Sequence, residues 1–148
     1  MAFRAANSLT AMHAPLPPAI DPAERLLFII NAASGSHDRD ATRAAIEGAL
    51  QASGRTGELR FTCAADLASV ACDGAAAACA RGSAVVAVGG DGTINAVAQA
   101  AHAQRCPMGV VPQGTFNYFS RTHGIPFDTQ EALQVLLEIW WRSSTILA

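Results

Sequence analysis

Ala84-Val85-Val86-Ala87-Val88-Gly89-Gly90-Asp91-Gly92-Thr93 sets an unbroken apolar run directly against a glycine-rich turn. Five small apolar residues without a polar interruption have the pattern of a strand buried on both faces, as in the middle of a parallel sheet. Beyond the turn, Ile94, Val97, Ala98 and Ala101 recur at helical spacing and predict a helix that starts at Thr93. Strand, turn and helix in that order make half of a βαβ unit, and the flanking sequence repeats the pattern.

Towards the N-terminus, Leu26-Leu27-Phe28-Ile29-Ile30 predicts another buried strand, followed by a small-residue loop, Asn31 to Ser36. A helix is expected from about Arg39 to Ser53, with Asp38 or Asp40 as N-cap and Gly54 as the stop. Glu58 to Thr62 reads as a short strand. Leu67, Val70, Ala71, Gly74 and Ala78 mark a second helix ending at Gly82, with Cys72 and Cys79 on one buried face. Towards the C-terminus, Met108 to Val111 is a fourth strand, Asp128 to Glu131 resembles a capping box, and Leu133, Leu136, Leu137 and Trp140 form the stripe of a last helix. The alternation predicts an α/β fold: an open parallel sheet with helices on both faces, in a Rossmann-like three-layer arrangement. Residues 1–24, with Pro15, Pro17 and Pro18, are expected to be a disordered leader, 25–142 the domain, and 143–148 a tail.

Composition narrows the chemistry. The 148 residues are 51% hydrophobic and carry a net charge of −2 with no run of one sign, which argues against a nucleic-acid partner. All ten basic residues are Arg. A chain without Lys has no P-loop lysine, no protein-kinase strand lysine and no Schiff base. Cys63, Cys72, Cys79 and Cys106 are too widely spaced for a zinc pair, and the four His do not cluster with them. No apolar run approaches the ~18 residues of a membrane span, and with no signal-peptide core a cytoplasmic location is expected.

In an open parallel sheet, ligands bind off the carboxyl ends of the strands. Those ends deliver Asn31, Ser34 and Gly35; Thr62; Gly89 to Thr93; and Gly114, Thr115 and Asn117, small or hydrogen-bonding residues with one carboxylate, Asp91. Gly89, Gly90 and Gly92 allow positive φ and close backbone approach, so that N–H groups and the helix dipole can hold a phosphate. Asp91 would then engage a divalent cation, while Thr93, Asn95 and Thr115 donate hydrogen bonds. The plainer reading of Gly-Gly-Asp-Gly is a tight turn between strand and helix. Asn31 to Gly35 also has a reading as an Asx or Ser turn, Thr62 reads equally as an N-cap, and Arg121 and His123 read as solvated surface.

Three motifs carry a family resemblance. Asn31-Ala32-Ala33-Ser34-Gly35 resembles the Asn-Pro-x-Ser-Gly of diacylglycerol kinase catalytic domains. Gly89-Gly90-Asp91-Gly92-Thr93 is similar to that family's glycine-aspartate signature, and Pro112 to Arg121 to its Pro-x-Gly-Thr-x-Asn-x-Phe-Ala-Arg. Ala32 stands where proline is usual, and Tyr118 where Asp is common. The resemblance implies a lipid kinase that transfers the γ-phosphoryl of ATP to a lipid hydroxyl with Mg2+. Asn31, Ser34, Gly35, Thr62, Gly89, Gly90, Gly92, Thr93, Asn95, Gly114 and Thr115 would bind ATP, and Asp91 would serve as catalytic residue and metal ligand. Phe116, Asn117, Phe119 and Arg121 would border the lipid headgroup cleft. It also implies a lipid substrate such as diacylglycerol, peripheral membrane contact, and a β-rich second domain that these 148 residues are expected to lack; the exposed cleft would then favour self-association. Two rivals stand beside it: NAD kinase, disfavoured because Ala96 rather than Glu follows Asn95, and a non-catalytic nucleotide-binding module.

Overall fold

Each strand is joined to the next through a helix, and every strand pair in the sheet is accordingly parallel. The computed structural model describes residues 21, 23–31, 36–114 and 117–146. In chain order the elements are β1 (Leu26–Asn31), α1 (Ser36–Ser53), β2 (Gly57–Thr62), α2 (Leu67–Ala80), β3 (Val85–Gly89), α3 (Asp91–Gln104), β4 (Met108–Pro112), α4 (Tyr118–His123) and α5 (Thr129–Ile146). The strand order is β2-β1-β3-β4, so the chain reverses its direction of travel across the sheet between β1 and β3. That reversal opens a crevice at the carboxyl ends of the two strands.

Period-two alternation divides the core into two layers. Leu27, Ile29, Val85 and Ala87 face α2 and α3, while Leu26, Phe28, Ile30, Val86 and Val88 face α1 and α5. The α2 side is built from Ala71, Gly74, Ala75 and Ala78. A Cβ on Gly74 would stand 2.8 Å from Ile29 Cδ1, so the missing side chain lets the helix lie close on β1. Opposite, Ile46, Leu50, Leu133 and Leu137 fill the space with branched side chains. Edge strand β2 is half-buried throughout, which suits its polar Glu58 and Arg60. At the end of the sheet away from the crevice, Arg60 and then Arg81 hold the Glu58 carboxyl below its ordinary pKa by direct hydrogen bonds.

Helix starts differ from expectation. The first helix begins at Ser36, which leaves Asp38 in its first turn and Asp40 inside it rather than at the cap; Asp38 still lies where a negative charge suits the dipole. The helix after the glycine turn begins at Asp91, two residues before Thr93, with Gly90 as N-cap. The short α4 was not anticipated, because six residues are too few to show a period. Glu131 N–H donates to Asp128 Oδ1 (3.0 Å), one half of the expected capping box. Cys72 is exposed and Cys79 half-buried, since Cys72 lies about 100° round the helix from buried Ala71. In the expected leader, Asp21 N–H donates to Gly82 O (2.8 Å), and α5 continues past 142 to Ile146. Leader residues 1–20 and 22, the Trp140 side chain, and Ser34, Gly35, Thr115 and Phe116 lie outside the described residues.

Candidate functional site

The crevice between β1 and β3 widens into a cleft of about 890 Å3, lined by the ends of β1, β3 and β4, the first turns of α1 and α3, and the segments that follow β2 and β4. Its floor is the N-terminus of α3. The hydrogen-bond ladder of that helix begins with Ile94 N–H donating to Gly90 O (3.0 Å), so the N–H groups of Asp91, Gly92 and Thr93 precede it without intrahelical partners. Three donors and the positive end of a helix dipole suit an anion.

The glycines serve space more than dihedral freedom. Gly90 has φ −81° and Gly92 is helical. A Cβ on Gly89 would meet Thr93 Oγ1 at 2.7 Å, because buried Thr93 tucks beneath the turn. A Cβ on Gly114 would come 2.7 Å from the Gly90 Cα, so the β3 and β4 loops meet backbone to backbone. A Cβ on Gly92 would meet nothing within 4 Å among the described residues, which leave the cleft open above the helix end.

Two side chains brace these loops. Buried Asn117 adopts the left-handed conformation (φ 49°) that Asn tolerates better than most residues, and its Oδ1 accepts the Gly114 N–H at 2.9 Å. Gln113 donates its backbone N–H to Gly89 O (2.8 Å) and its side-chain Nε2 to the Oγ1 of buried Thr42 on α1 (3.2 Å). Gln113 therefore ties α1 to the β3 and β4 ends, and residue-by-residue reading of the sequence assigned neither Gln113 nor Thr42 a role. Gln113 stood inside a motif already singled out, which was the available signal; Thr42 carried none.

Asn31, Gly89, Gly90, Gly92, Thr93, Gly114 and Asn117 all line the cleft. Thr62 does not: its hydroxyl donates to the Cys63 carbonyl at 3.3 Å. Asn95 is exposed on the α3 side that faces α4, one residue past the buried Thr93 and Ile94 pair. Phe119 turns into the α2–α3 layer and contacts the His123 ring, and Arg121 lies over Phe127 with 5.3 Å to the ring centroid. Phe127, exposed at the cleft rim, was not anticipated.

Asp91 departs furthest from its expected role. Its Oδ2 accepts the Tyr118 N–H (3.1 Å) and its Oδ1 the Phe119 N–H (3.2 Å), so the carboxylate caps α4 and faces the groove beside it, away from the cleft. Among the described residues no three His, Cys, Asp or Glu side chains gather into a metal-holding group. These two hydrogen bonds make Asp91 a brace between the phosphate-facing turn and α4. Asp91→Asn keeps one acceptor and loses the charge, so stability should fall by ~1–2 kcal/mol, the usual worth of a charge-assisted hydrogen bond. Urea denaturation will measure it; an unchanged midpoint would show that α4 does not depend on this carboxylate.

Comparison with known proteins adds the following. A model of the family described as "Diacylglycerol kinase catalytic domain" matches residues 25–147. The Enterobacter sp. (strain 638) protein named "Probable lipid kinase YegS-like" is 46% identical over 57 residues, 36% of this chain and 19% of that protein. A diacylglycerol kinase of Staphylococcus carnosus (strain TM300) is 41% identical over 56 residues, 36% of this chain and 18% of its own. The matched segment thus spans about a fifth of the length of these curated relatives. A crystal structure of a diacylglycerol kinase from Bacillus anthracis str. Sterne superposes with a TM-score of 0.64 at 26% identity, covering 78% of this chain and 42% of that one.

Proposed function

Because the chain belongs to the diacylglycerol kinase catalytic domain family, we propose that its cleft binds ATP as phosphate donor for a lipid kinase reaction. The observation that carries this reading is the α3 N-terminus: three N–H groups ahead of the helix ladder open into a roomy cleft at the point where the strand order reverses. The nucleotide phosphates would lie over Gly92, against the paired Gly90 and Gly114 backbones, with Thr93 beneath and Asn31 across the crevice. Ser34, Gly35 and Thr115 keep the nucleotide-binding roles that the motifs imply, and Phe116 its place beside the acceptor.

Phosphoryl transfer asks chiefly for positioning and charge stabilisation. The lipid hydroxyl oxygen attacks the γ-phosphorus, the bond to the β-bridging oxygen breaks, ADP leaves, and the hydroxyl proton passes to a base. Diacylglycerol or a related lipid alcohol is the acceptor class, and the exposed rings of Tyr118 and Phe127 suit contact with a membrane surface or a second copy. Mg2+ would arrive on the nucleotide's own phosphate oxygens. No helix among the described residues is long and apolar enough to cross a membrane.

A second reading, nucleotide binding without transfer, draws support from Asp91, whose two oxygens both serve α4. Titration calorimetry with ATP, paired with transfer of labelled phosphate to diacylglycerol in mixed micelles, separates the readings. Saturable one-site ATP binding is expected below about 1 mM, the concentration at which a specific site is worth ~4 kcal/mol. Absence of binding there overturns both readings, and binding without lipid labelling favours the second.

A further inference from the structure

The cleft needs a positive charge to hold a polyanion, and the chain has no Lys to supply one. Arg39 is the one Lys or Arg among the described residues that line the cleft; the lining also includes Asp38. Arg39 sits on α1 three residues before Thr42, on the same helix face, and Thr42 is fixed by its hydrogen bond to Gln113. The Arg39 guanidinium lies 5.0 Å from the centroid of the Phe61 ring on β2, and that of Arg43 lies 4.8 Å from the same ring. Phe61 is half-buried against the α1–α5 layer, so it is a fixed post for both. A guanidinium with its face on an aromatic ring keeps its N–H edge available for bidentate bonding to phosphate oxygens.

The two arginines are not equivalent. Arg43 has an anionic neighbour, Glu47, at 3.6 Å and does not line the cleft. Among the described residues no carboxylate forms an ion pair with Arg39. Two like charges at i and i+4 repel, and an anion brought beside Arg39 relieves that repulsion.

We infer that Arg39 is the cationic nucleotide-binding residue of the cleft, contacting the phosphate oxygens in the place a lysine holds in other phosphate sites. This rests on the ATP reading given above, and it adds a contact from α1 to those made by the α3 terminus. Because a phosphate contact grows with charge and a base contact does not, a ligand series identifies it.

The test is calorimetric titration of the 148-residue chain and its Arg39→Gln, Arg39→Lys and Arg43→Gln variants with ATP, ADP, AMP, adenosine and inorganic tripolyphosphate. Arg39→Gln should weaken ATP by about tenfold and adenosine by less than about twofold, with ADP and AMP between; one charge-assisted contact has that size. Arg39→Lys should fall between wild type and Arg39→Gln, and Arg43→Gln should stay within about threefold of wild type, because its charge lies off the cleft. Both positions are exposed, and melting curves will confirm that the three variants fold. Unchanged ATP affinity in Arg39→Gln overturns the inference, as does an equal loss for adenosine and ATP. If the wild-type chain binds tripolyphosphate but not ATP, and Arg39→Gln loses it, the nucleotide reading alone falls; a wild-type chain that binds neither overturns both.

Discussion

Gly92→Val will strip the chain of ATP affinity without lowering its melting temperature. The position is the second residue of α3 and exposed, and a Cβ there meets nothing within 4 Å among the described residues, which leave room for the new side chain. The room is the cleft itself. A branched side chain above the helix end fills the volume in which phosphate oxygens would meet the Gly92 and Thr93 N–H groups, and affinity should drop by at least about 30-fold, ~2 kcal/mol. Stability should hold or rise by a few tenths of a kcal/mol, since any other residue except proline suits a helix better than glycine. Calorimetry and a thermal melt on the same samples check both halves. Retained affinity would falsify the placement of the phosphates on this helix end.

Gly114→Ala should cost both properties at once. Its Cβ would stand 2.7 Å from the Gly90 Cα and 3.0 Å from Asn117 Oδ1, and the first of these neighbours is backbone that cannot rotate aside. The β3 and β4 loops must separate, which strains the Gly114 N–H bond to Asn117 and moves the turn that carries the α3 terminus. Overpacking of this kind costs ~1–3 kcal/mol, and ATP affinity should fall with it, by roughly 10-fold or more. The reverse substitution, Gly90→Ala, places its Cβ 3.4 Å from the Gly114 Cα, an ordinary contact, and should disturb stability much less. Equal melting temperatures and affinities for Gly114→Ala and wild type would show that the loops are not in the contact described.

The contrast between these glycines was not readable from the sequence. Both stand in motifs that mark a phosphate loop, yet one borders empty space and the other a neighbouring backbone, and only the packing of β3 against β4 tells them apart. The strands and the two-layer arrangement were legible, because runs such as Leu26–Ile30 and Val85–Val88 are apolar enough to require burial on both faces. Direction was not. Asn95 on α3 and Phe119 on α4 sit in those motifs but border the groove between the two helices, and a motif read residue by residue does not show which face each helix presents. Asp91 looked like a solitary carboxylate facing phosphate only while α4, the element it caps, went unseen. Arg39 escaped notice because a charge on a helix is usually a solvated charge, and its partner Phe61 is 22 residues away in sequence and on another element.

The alanine layer beneath α2 carries a thermal consequence. Ala71, Ala75 and Ala78 lose no rotamer freedom when they are buried, but each removes little apolar surface from water. On the opposite side Ile46 and Leu50 of α1 and Leu133 of α5 each remove more surface and order more torsions. Since the heat-capacity change of unfolding follows exposed apolar area, α2 itself adds less to the curvature of the stability curve than α1 or α5 does. Cooling therefore weakens the α1 and α5 contacts more than those of α2, which rest on close backbone approach at Gly74. The α1 helix bearing Arg39 thus hangs from contacts that loosen in the cold.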